Sequence, residues 1–393
     1  MNPTTAHLAL PFFDGAHREL GQRLADWIPH QHIDERDDRQ ACREWVRLLG
    51  DHQWLRYCVP AGKDGVLGGA LDQLDSRALV ILREMLAFHS PLADFAFAMQ
   101  GLGSGAITLA GTPAQQAAYL PQVARGDKIA AFALSEADAG SDVGAMQTSA
   151  THTDDGWALN GSKTWISNGG IADFYVTFAK TDPGAGTRGI TAFIVDAPTQ
   201  GLDSSEAIAV ISPHPLATLN FTHCRLADSA QLGTLHGGFK LAMQTLDIFR
   251  ASVAGAALGM ARRALAEAVQ FARTRKMFGQ TLADFQLTQA KLGEMAALVD
   301  AAALLTYRAA WMRDEGERLG HGARLTAEAA MAKMTATENA QRVIDMALQM
   351  HGGLGVKVGS KVESLYRDIR SLRIYEGATE VQQLIIGKAV LQS

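Results

Sequence analysis

The sequence predicts a multidomain α+β protein with an N-terminal α-helical domain, a middle β-barrel or sandwich domain and a C-terminal four-helix bundle. Three observations support this fold class. Apolar residues recur at helical spacing before residue 128, short segments rich in β-branched and aromatic residues follow up to residue 237, and long Ala- and Leu-rich runs come last. With 393 residues, 47% of them hydrophobic, the chain can form about two to three domains around a large core. We place the domains at 1–127, 128–237 and 238–393.

The N-terminal region contains helical patterns at residues 79–86 and 114–120. Thr112 and Pro113 form a helix start, with a capping hydroxyl followed by a proline in the first turn. We expect Pro121 to end or kink this short helix. The segment at 101–106 matches the dinucleotide pattern G-x-G-x-x-A, but it lies in a helical region rather than between a strand and a helix, so we expect no Rossmann site there.

The middle region reads as strands separated by turns. Segments 146–153, 173–180 and 189–196 are short and rich in β-branched and aromatic residues, and D-D-G and D-P-G lie between them. After residue 238, runs at 243–275, 282–313 and 326–349 have lengths that suit a helix bundle. Their small-residue faces suit close packing between subunits.

Composition excludes several classes of function. The net charge of −5 and the absence of a Lys/Arg stripe argue against nucleic-acid binding. The scattered cysteines Cys42, Cys58 and Cys224 form no disulfide framework, which favours a reducing compartment. No apolar run is long enough to span a membrane, and the first ten residues lack a signal or transit pattern, so we expect a cytoplasmic protein. The polar segment with His30, His32 and Asp34 is more typical of a solvated loop than of a metal site, and we expect no metal.

Two motifs in the middle region are the first that indicate a binding site. The first, F-A-L-S-E-A-D-A-G-S-D at 132–142, begins in a β-like segment and breaks at Gly140. It offers backbone N–H groups and hydroxyls to a planar, anionic ligand. The second, N-G-S-K-T-W-I-S-N-G at 160–169, places the flat Trp165 near the hydroxyl of Ser167. Either motif alone fits an ordinary hairpin with a core tryptophan at least as well.

Three further motifs follow in order: R-K-M-F-G at 275–279, Q-M-H-G-G at 349–353 and I-Y-E-G at 374–377. Together the five motifs resemble the acyl-CoA dehydrogenase family over nearly the whole chain. The resemblance implies FAD as cofactor, an acyl-CoA substrate, an electron-transfer flavoprotein as electron acceptor, and a homo-oligomer, usually a tetramer. It also implies that the flavin ring and pyrophosphate contact Phe132, Ala133, Leu134, Ser135, Gly140, Ser141, Trp165, Ile166 and Ser167.

The resemblance further implies a second set of residues that reach the FAD of a neighbouring subunit: Arg275, Phe278, Gln286, Gln349, Gly352 and Gly353. Arg275 suits a phosphate clamp and Phe278 an aromatic that stacks on adenine. Taken alone, the same pair also fits an arginine at a helix C-terminus with a buried phenylalanine.

Glu376 is the candidate catalytic base. Oxidation of a thioester at Cα–Cβ needs a carboxylate in a dry site to remove the Cα proton. Gly377 lets the backbone turn so that the N–H of Glu376 can polarise the thioester carbonyl together with a flavin ribityl hydroxyl. Without the family order, a surface glutamate paired with Arg373 would be the simpler interpretation. A second arrangement in the family puts the base at the position of Phe249, which cannot accept a proton.

The resemblance assigns substrate contacts to Ser141, Asp247, Arg250, Tyr375 and Gly377. An intrahelical ion pair between Asp247 and Arg250 is an equally good interpretation. One departure stands out, because many members read E-G-T-x-E where this chain reads E-G-A-T-E. We still expect FAD contacts from Ala378, Thr379 and Glu380, although Ala378 lacks the usual hydroxyl and Glu380 could perturb the titration of Glu376.

The sequence thus predicts an FAD-dependent acyl-CoA dehydrogenase that forms a trans-2-enoyl-CoA. Glu376 removes the proton, hydride passes to flavin N5, and an electron-transfer flavoprotein takes the electrons. Residues 98–102 are expected to border the acyl tail. The alternatives are a family offshoot that acts on a carrier-protein thioester, an oxygen-using acyl-CoA oxidase, and, in another class, a flavin-binding interaction protein without turnover.

Overall fold

The computed structural model describes residues 1–316, 318 and 325–392. Within them the helices are α1 (Gly15–Trp27), α2 (Asp38–Asp51), α3 (Ser76–His89), α4 (Pro91–Ala110), α5 (Pro113–Arg125), α6 (Gly238–Thr274), α7 (Gln286–Asp314), α8 (Thr326–His351), α9 (Lys361–Leu372) and α10 (Thr379–Gln392). The strands are β1 (Ala130–Ala133), β2 (Ser149–Thr153), β3 (Gly156–Ser167), β4 (Phe174–Lys180), β5 (Ile190–Asp196), β6 (Leu202–Ala207), β7 (Leu216–Leu226), β8 (Gln231–Leu232), β9 (Lys276–Met277) and β10 (Gln280–Thr281). The order of helices, sheet and helices confirms the predicted fold class.

The chain forms two compact units. Unit 1 contains Met1–His32, Ser76–Asp94 and Arg250–Ser393, and unit 2 contains Ile33–Asp75 and Phe95–Phe249. The divisions fall inside α4 and α6. The domain boundaries after residues 127 and 237 stay predictions.

Unit 2 is built on one mixed sheet. Its strands pair in the order β6-β7-β3-β2-β4-β5-β8, and β1 pairs in parallel with β4. Among the described strands β6 and β8 are the two ends of this order, so the predicted β domain is a single sheet without the pairing that would close it into a barrel. Strands β4 and β5 are buried along almost their whole length, which explains their nearly continuous apolar sequences.

Helix α4 fixes the start of β1 through one buried amide. The side chain of Gln100 donates to the carbonyl oxygen of Lys128 at 2.8 Å and accepts from the N–H of Ala130 at 2.8 Å. Because both polar groups of the amide are satisfied, Gln100 can be fully buried at low cost. The strand that leads into the first motif is therefore held in register.

Unit 1 is a set of packed helices. Helix α8 packs against α7, α9 and α10, and α3 packs against α1 and α7. The carboxylate of Asp314, at the end of α7, accepts from the N–H groups of Ser76 and Arg77 at 2.8 and 2.9 Å and so caps α3. Buried Glu84 accepts from Arg262 at 2.6 Å and from the Tyr307 hydroxyl at 2.7 Å. Capping and buried hydrogen bonds thus tie together helices that are far apart in sequence.

Helix α5 starts as predicted but does not end at Pro121. Thr112 and Gln115 form a reciprocal capping box at its start. The helix continues past Pro121 to Arg125, and Gly126, with φ 73°, ends it by donating to the carbonyls of Gln122 and Val123. Of the two expectations for Pro121, an end of the helix was wrong, because the glycine cap supplies the stop and Pro121 removes only one N–H donor, and a kink stays a prediction.

The described helices also test two smaller expectations. The segment at 101–106 lies inside α4, as expected for a sequence that only mimics a dinucleotide motif. Helix α7 begins four residues later than the predicted run, because Asp284 accepts from the N–H and hydroxyl of Thr281 and makes a separate turn. In the described part of the chain no helix has the length and apolar character needed to cross a membrane.

Candidate active site

Glu376 lies in unit 1, in the turn between α9 and α10. Its φ of 53° and the φ of 93° at Gly377 put two consecutive residues in the left-handed region. Hydrogen bonds close the turn on both sides: the N–H of Tyr375 donates to Ser371 and the N–H of Thr379 to Arg373, each at 3.1 Å. A left-handed non-glycine residue is strained and persists only when its surroundings hold it there.

The carboxyl of Glu376 is buried and lacks a hydrogen-bond donor on one oxygen, since its Oε2 has no hydrogen-bond partner within the described residues. Burial raises the pKa of the Glu376 carboxyl above its ordinary value, and the nearby cations Arg83, Lys333 and Arg250 oppose part of that rise. A buried carboxylate oxygen without a donor has its lone pairs available for a substrate proton.

The backbone of Glu376 offers a second group. Its N–H donates to no acceptor in the described part of the chain. A free N–H beside the base can stabilise charge that develops on a carbonyl oxygen. The turn therefore presents both an acceptor for a proton and a donor for an oxyanion.

A buried ion pair next to Glu376 was not predicted. Arg83 donates to both carboxylate oxygens of Asp94, at 2.8 and 2.9 Å, and to the hydroxyl of Ser252 at 3.0 Å. Arg83 is 2% exposed and so is Asp94. The sequence signal was a pair of charged residues in the otherwise apolar stretches of α3 and α4, which marks burial but does not identify the partner.

Lys333 and Gln382 were missed as well. The Lys333 ammonium donates to the carbonyl oxygen of Gly377 at 2.8 Å, and the Gln382 amide donates to the same oxygen at 2.9 Å. Both side chains are completely buried. Lys333 lies in the small, apolar sequence A-A-M-A-K-M-T-A of α8, where a lysine is a signal of a buried contact.

Arg373, the partner that a surface glutamate would need, is engaged elsewhere. It donates to Glu338 at 2.8 Å, and the hydroxyl of Thr379 donates to the same oxygen at 2.6 Å. The hydroxyl proton of Thr379 is thus used inside the chain. Ala378 precedes α10 and Glu380 is exposed in its first turn, and their FAD contacts stay predictions.

The two motifs of the middle region form a cradle in unit 2. The ladder between β3 and β7 shifts register between Lys163 and Ile166, and Trp165 in this bulge has a φ of 61°. The bulge leaves the indole 56% exposed while Ile166 is buried. Buried Lys163 donates to the carbonyl of Leu134 at 3.0 Å and to Glu136 at 2.7 Å, which fixes the first half of the first motif.

The donor groups of this cradle fit a flavin. The hydroxyls of Ser135, Ser141 and Ser167 have no hydrogen-bond partner among the described residues. A Cβ built at Gly140 meets nothing within 4 Å, so the backbone there is open to a ligand. An exposed aromatic wall, free hydroxyls and an open backbone suit a planar ring with a pyrophosphate. Phe132 packs on Phe178, with ring centroids 5.0 Å apart, and Ala133 and Leu134 are buried beside it.

The second predicted set lies on the surface of unit 1. Phe278 and Gly279 both have positive φ, 49° and 82°, and join β9 to β10 in a two-residue hairpin turn. This turn leaves Phe278 87% exposed, so the alternative of a core phenylalanine was wrong. The other members are also exposed, namely Arg275, Gln286, Gln349, Gly352 and Gly353.

The substrate candidates Asp247 and Arg250 lie on α6, the first half-buried in unit 2 and the second buried in unit 1. Between them, Phe249 is 2% exposed. Its ring fills the space beside two glycines of α4, since a Cβ at Gly101 or Gly105 would lie 2.6 or 2.9 Å from it. Phe249 is thus an apolar packing residue that cannot act as a base. Tyr375 is half-buried, and burial raises the pKa of its phenol.

No metal site was found near these groups or elsewhere in the described ranges, where no cluster of three or more His, Cys, Asp and Glu side chains is placed to hold an ion. His32 and Asp34 are exposed in the segment between α1 and α2.

Comparison with family models matches three parts of the chain. Residues 16–127 match the N-terminal domain, residues 131–224 the middle domain and residues 236–391 the C-terminal domain of acyl-CoA dehydrogenases. Together these matches span almost the entire chain.

Individual proteins that are similar to this chain point to the same family. The chain is 40% identical over 390 residues to a 3-(aryl)acrylate reductase of Clostridium sporogenes, and the matched region covers 97% of this chain and 100% of that protein. It is 42% identical over 351 residues to the human mitochondrial short-chain specific acyl-CoA dehydrogenase, covering 88% of this chain and 82% of the relative. It also resembles a chain in a solved structure described as the electron transferring flavoprotein of Acidaminococcus fermentans. That match has a TM-score of 0.89 at 31% identity and covers 97% of this chain and 99% of the other.

Proposed function

Because the chain belongs to the acyl-CoA dehydrogenase family, we propose that it oxidises a short acyl-CoA to a trans-2-enoyl-CoA with Glu376 as the catalytic base. The family consists of FAD-binding oxidoreductases that act on CH–CH groups. The observation that carries the proposal is the buried, unpartnered Oε2 of Glu376 beside a free backbone N–H in a left-handed turn.

Two groups of Glu376 act on the substrate, its carboxylate at Cα and its N–H at the thioester carbonyl oxygen. The Glu376 carboxylate takes the proton from Cα, and the electron pair of that C–H bond moves toward the thioester carbonyl. The N–H of Glu376 stabilises the negative charge on that oxygen. FAD, when bound, would supply the acceptor for the hydride that leaves Cβ as the Cα–Cβ double bond forms, and Glu376 would keep the proton.

Other residues bind the two large molecules. Ser135, Trp165 and Ser167 would hold the flavin ring, and the second set on unit 1, led by Arg275 and Phe278, would bind the FAD of a neighbouring subunit. Arg250 and Asp247 would hold the acyl-CoA near its pantetheine arm, with Ser141 and Tyr375. An electron-transfer flavoprotein is the proposed acceptor, supported by the name of the similar solved structure, and a homotetramer is the proposed assembly.

Two features favour a short acyl chain. One relative is named as short-chain specific. The other feature is the ring of Phe249, which fills the space beside Gly101 and Gly105 on α4, the helix that borders the acyl tail in this family. A bulky ring at that position reduces the volume that is left for the acyl tail.

Reduction of an aryl-substituted enoyl thioester is the second candidate function. It is favoured by the relative named 3-(aryl)acrylate reductase, which matches over its full length. The same Glu376 would then return the proton to Cα. Supplying the enzyme either with a reduced or with an oxidised electron carrier, and with saturated or unsaturated thioesters, separates the two directions.

Glu376→Gln tests the assignment of the base. The variant should bind yellow FAD normally but lose reduction of that flavin by butyryl-CoA under anaerobic conditions. We expect a loss of about 10²- to 10⁴-fold, because a neutral amide cannot accept the proton. Glu294→Gln, in an exposed ion pair of α7, should leave the rate unchanged. Unchanged reduction in Glu376→Gln would remove Glu376 from the mechanism.

A further inference from the structure

We infer that Lys333 is a positioning residue, which together with Gln382 clamps the carbonyl oxygen of Gly377 and thereby holds Glu376 in its left-handed conformation. The inference rests on the proposed role of Glu376. It concerns how that side chain is kept in place, and it uses contacts that lie entirely within unit 1.

The turn needs an external restraint. Glu376 has a φ of 53°, a region in which its Cβ crowds the backbone, and nothing in the local sequence other than Gly377 favours such a turn. A non-glycine residue relaxes out of this region unless neighbouring groups fix the backbone that follows it. The carbonyl of Gly377, in the second peptide after Glu376, is the group that the surroundings fix.

Two buried donors meet on that carbonyl. Lys333 approaches from α8 at 2.8 Å and Gln382 from α10 at 2.9 Å. The amide of Gln382 also lies 3.5 Å from the carbonyl oxygen of Glu376. A Cβ at Gly377 would come within 2.3 Å of the Gln382 amide, so the glutamine also packs directly on the turn. Donors from two different helices fix the orientation of the peptide plane.

A lysine at this contact brings a buried positive charge close to Glu376. A completely buried ammonium is costly, and one carbonyl oxygen does not repay its lost hydration. Burial lowers the pKa of Lys333 to about 8, and the charges that face it are Glu376, Arg250, Glu338 and Glu380. The cation in turn lowers the pKa of the Glu376 carboxyl. Lys333 therefore has an electrostatic effect on the base that Gln382 cannot have.

This difference provides a matched pair of variants. Lys333→Met removes a donor and a charge, whereas Gln382→Met removes the amide donor without removing a charge. Both should lower kcat for the acyl-CoA substrate by about 10- to 100-fold with little change in KM, because a displaced base misses its proton while binding groups stay in place. Only Lys333→Met should move the acidic limb of the kcat/KM profile to higher pH, since loss of the cation raises the pKa of Glu376. Lys388→Met, an exposed change on α10, is the control.

Hydrogen exchange gives a readout that needs no substrate. The N–H groups of Tyr375 and Thr379 are hydrogen-bonded around the turn, so their exchange should be faster in Lys333→Met and Gln382→Met and unchanged in Lys388→Met. Wild-type protection in both clamp variants overturns the inference, whatever the activity. A wild-type enzyme that is inert toward acyl-CoA overturns the proposed function but leaves the exchange result to decide the clamp. A purely structural lysine would lower thermal stability and leave the acidic limb in place, which also contradicts the inference.

Discussion

The charges buried around Glu376 make its pKa sensitive to single substitutions. Asp94 raises the pKa of Glu376, and its partner Arg83 lowers it. Asp94→Ala should therefore shift the acidic limb of kcat/KM to lower pH, because the variant removes the anion and leaves the cation in place. The same variant should lose about 3–5 kcal/mol in the free energy of unfolding, since Arg83 then stays buried without its carboxylate. Chemical denaturation and a pH–rate profile measure the two effects.

An exposed ion pair serves as the control for this prediction. Glu294 and Arg342 lie 2.8 Å apart with more than half of each side chain exposed. Glu294→Ala should cost less than about 1 kcal/mol and leave the pH profile unchanged. A shift of the Asp94→Ala limb toward higher pH would show that the assigned electrostatic sign is wrong.

At the scale of single residues, the sequence singled out Glu376 as the candidate base but did not indicate which groups surround it. Glu376 stands in the readable motif I-Y-E-G. Arg83, Asp94 and Lys333 stand in helices whose patterns show only that they are buried, and sequence spacing does not indicate which charges meet across hundreds of residues. The exposed Trp165 depends on a bulge in β3 that no propensity of its neighbours specifies.

The packing of two helices should set the length of the acyl chain. In unit 2, Phe249 of α6 fills the gap beside Gly101 and Gly105 of α4. Phe249→Ala should raise kcat/KM for octanoyl-CoA relative to butyryl-CoA by at least about tenfold, because the vacated volume accepts further methylenes. The deletion should also cost about 3–5 kcal/mol of stability. Steady-state kinetics with a series of acyl-CoAs and a denaturation curve measure both.

A neighbouring truncation separates specificity from simple destabilisation. Ile248→Ala removes another buried side chain of α6 and should lower stability by about 2–5 kcal/mol without changing the chain-length preference. If the two variants change the preference equally, the gap beside the glycines does not hold the acyl tail.

The sequence predicted helices and strands correctly where capping residues and apolar periodicity were clear. The capping box of α5 and the apolar strands β4 and β5 were predictable for this reason. The end of α5 was not, because the effect of Pro121 was overestimated and that of the glycine cap at Gly126 overlooked. The order of pairing in the sheet depends on contacts between distant segments, which periodicity does not report.

At the scale of the whole molecule, we expect each FAD site to need residues from two subunits. The residues predicted to reach a neighbour's FAD, including Arg275 and Phe278, are exposed and take no part in the core of unit 1. Exposed aromatic and cationic groups on a tight hairpin turn suit a ligand held by another subunit. A subunit that lacks Arg275 could then be completed by the Arg275 of its neighbour.

Mixed oligomers test this directly. Arg275→Ala and Glu376→Gln should each give an inactive enzyme when expressed alone, the first through poor FAD binding and the second through loss of the base. When the two are co-expressed, random pairing puts half of the subunit pairs in mixed form, and each mixed pair has one complete site, so about one quarter of wild-type activity should return. Mixing the purified oligomers without subunit exchange should restore none. If co-expression also restores none, Arg275 acts on the FAD of its own chain, because a mixed pair would then contain no site with both groups intact.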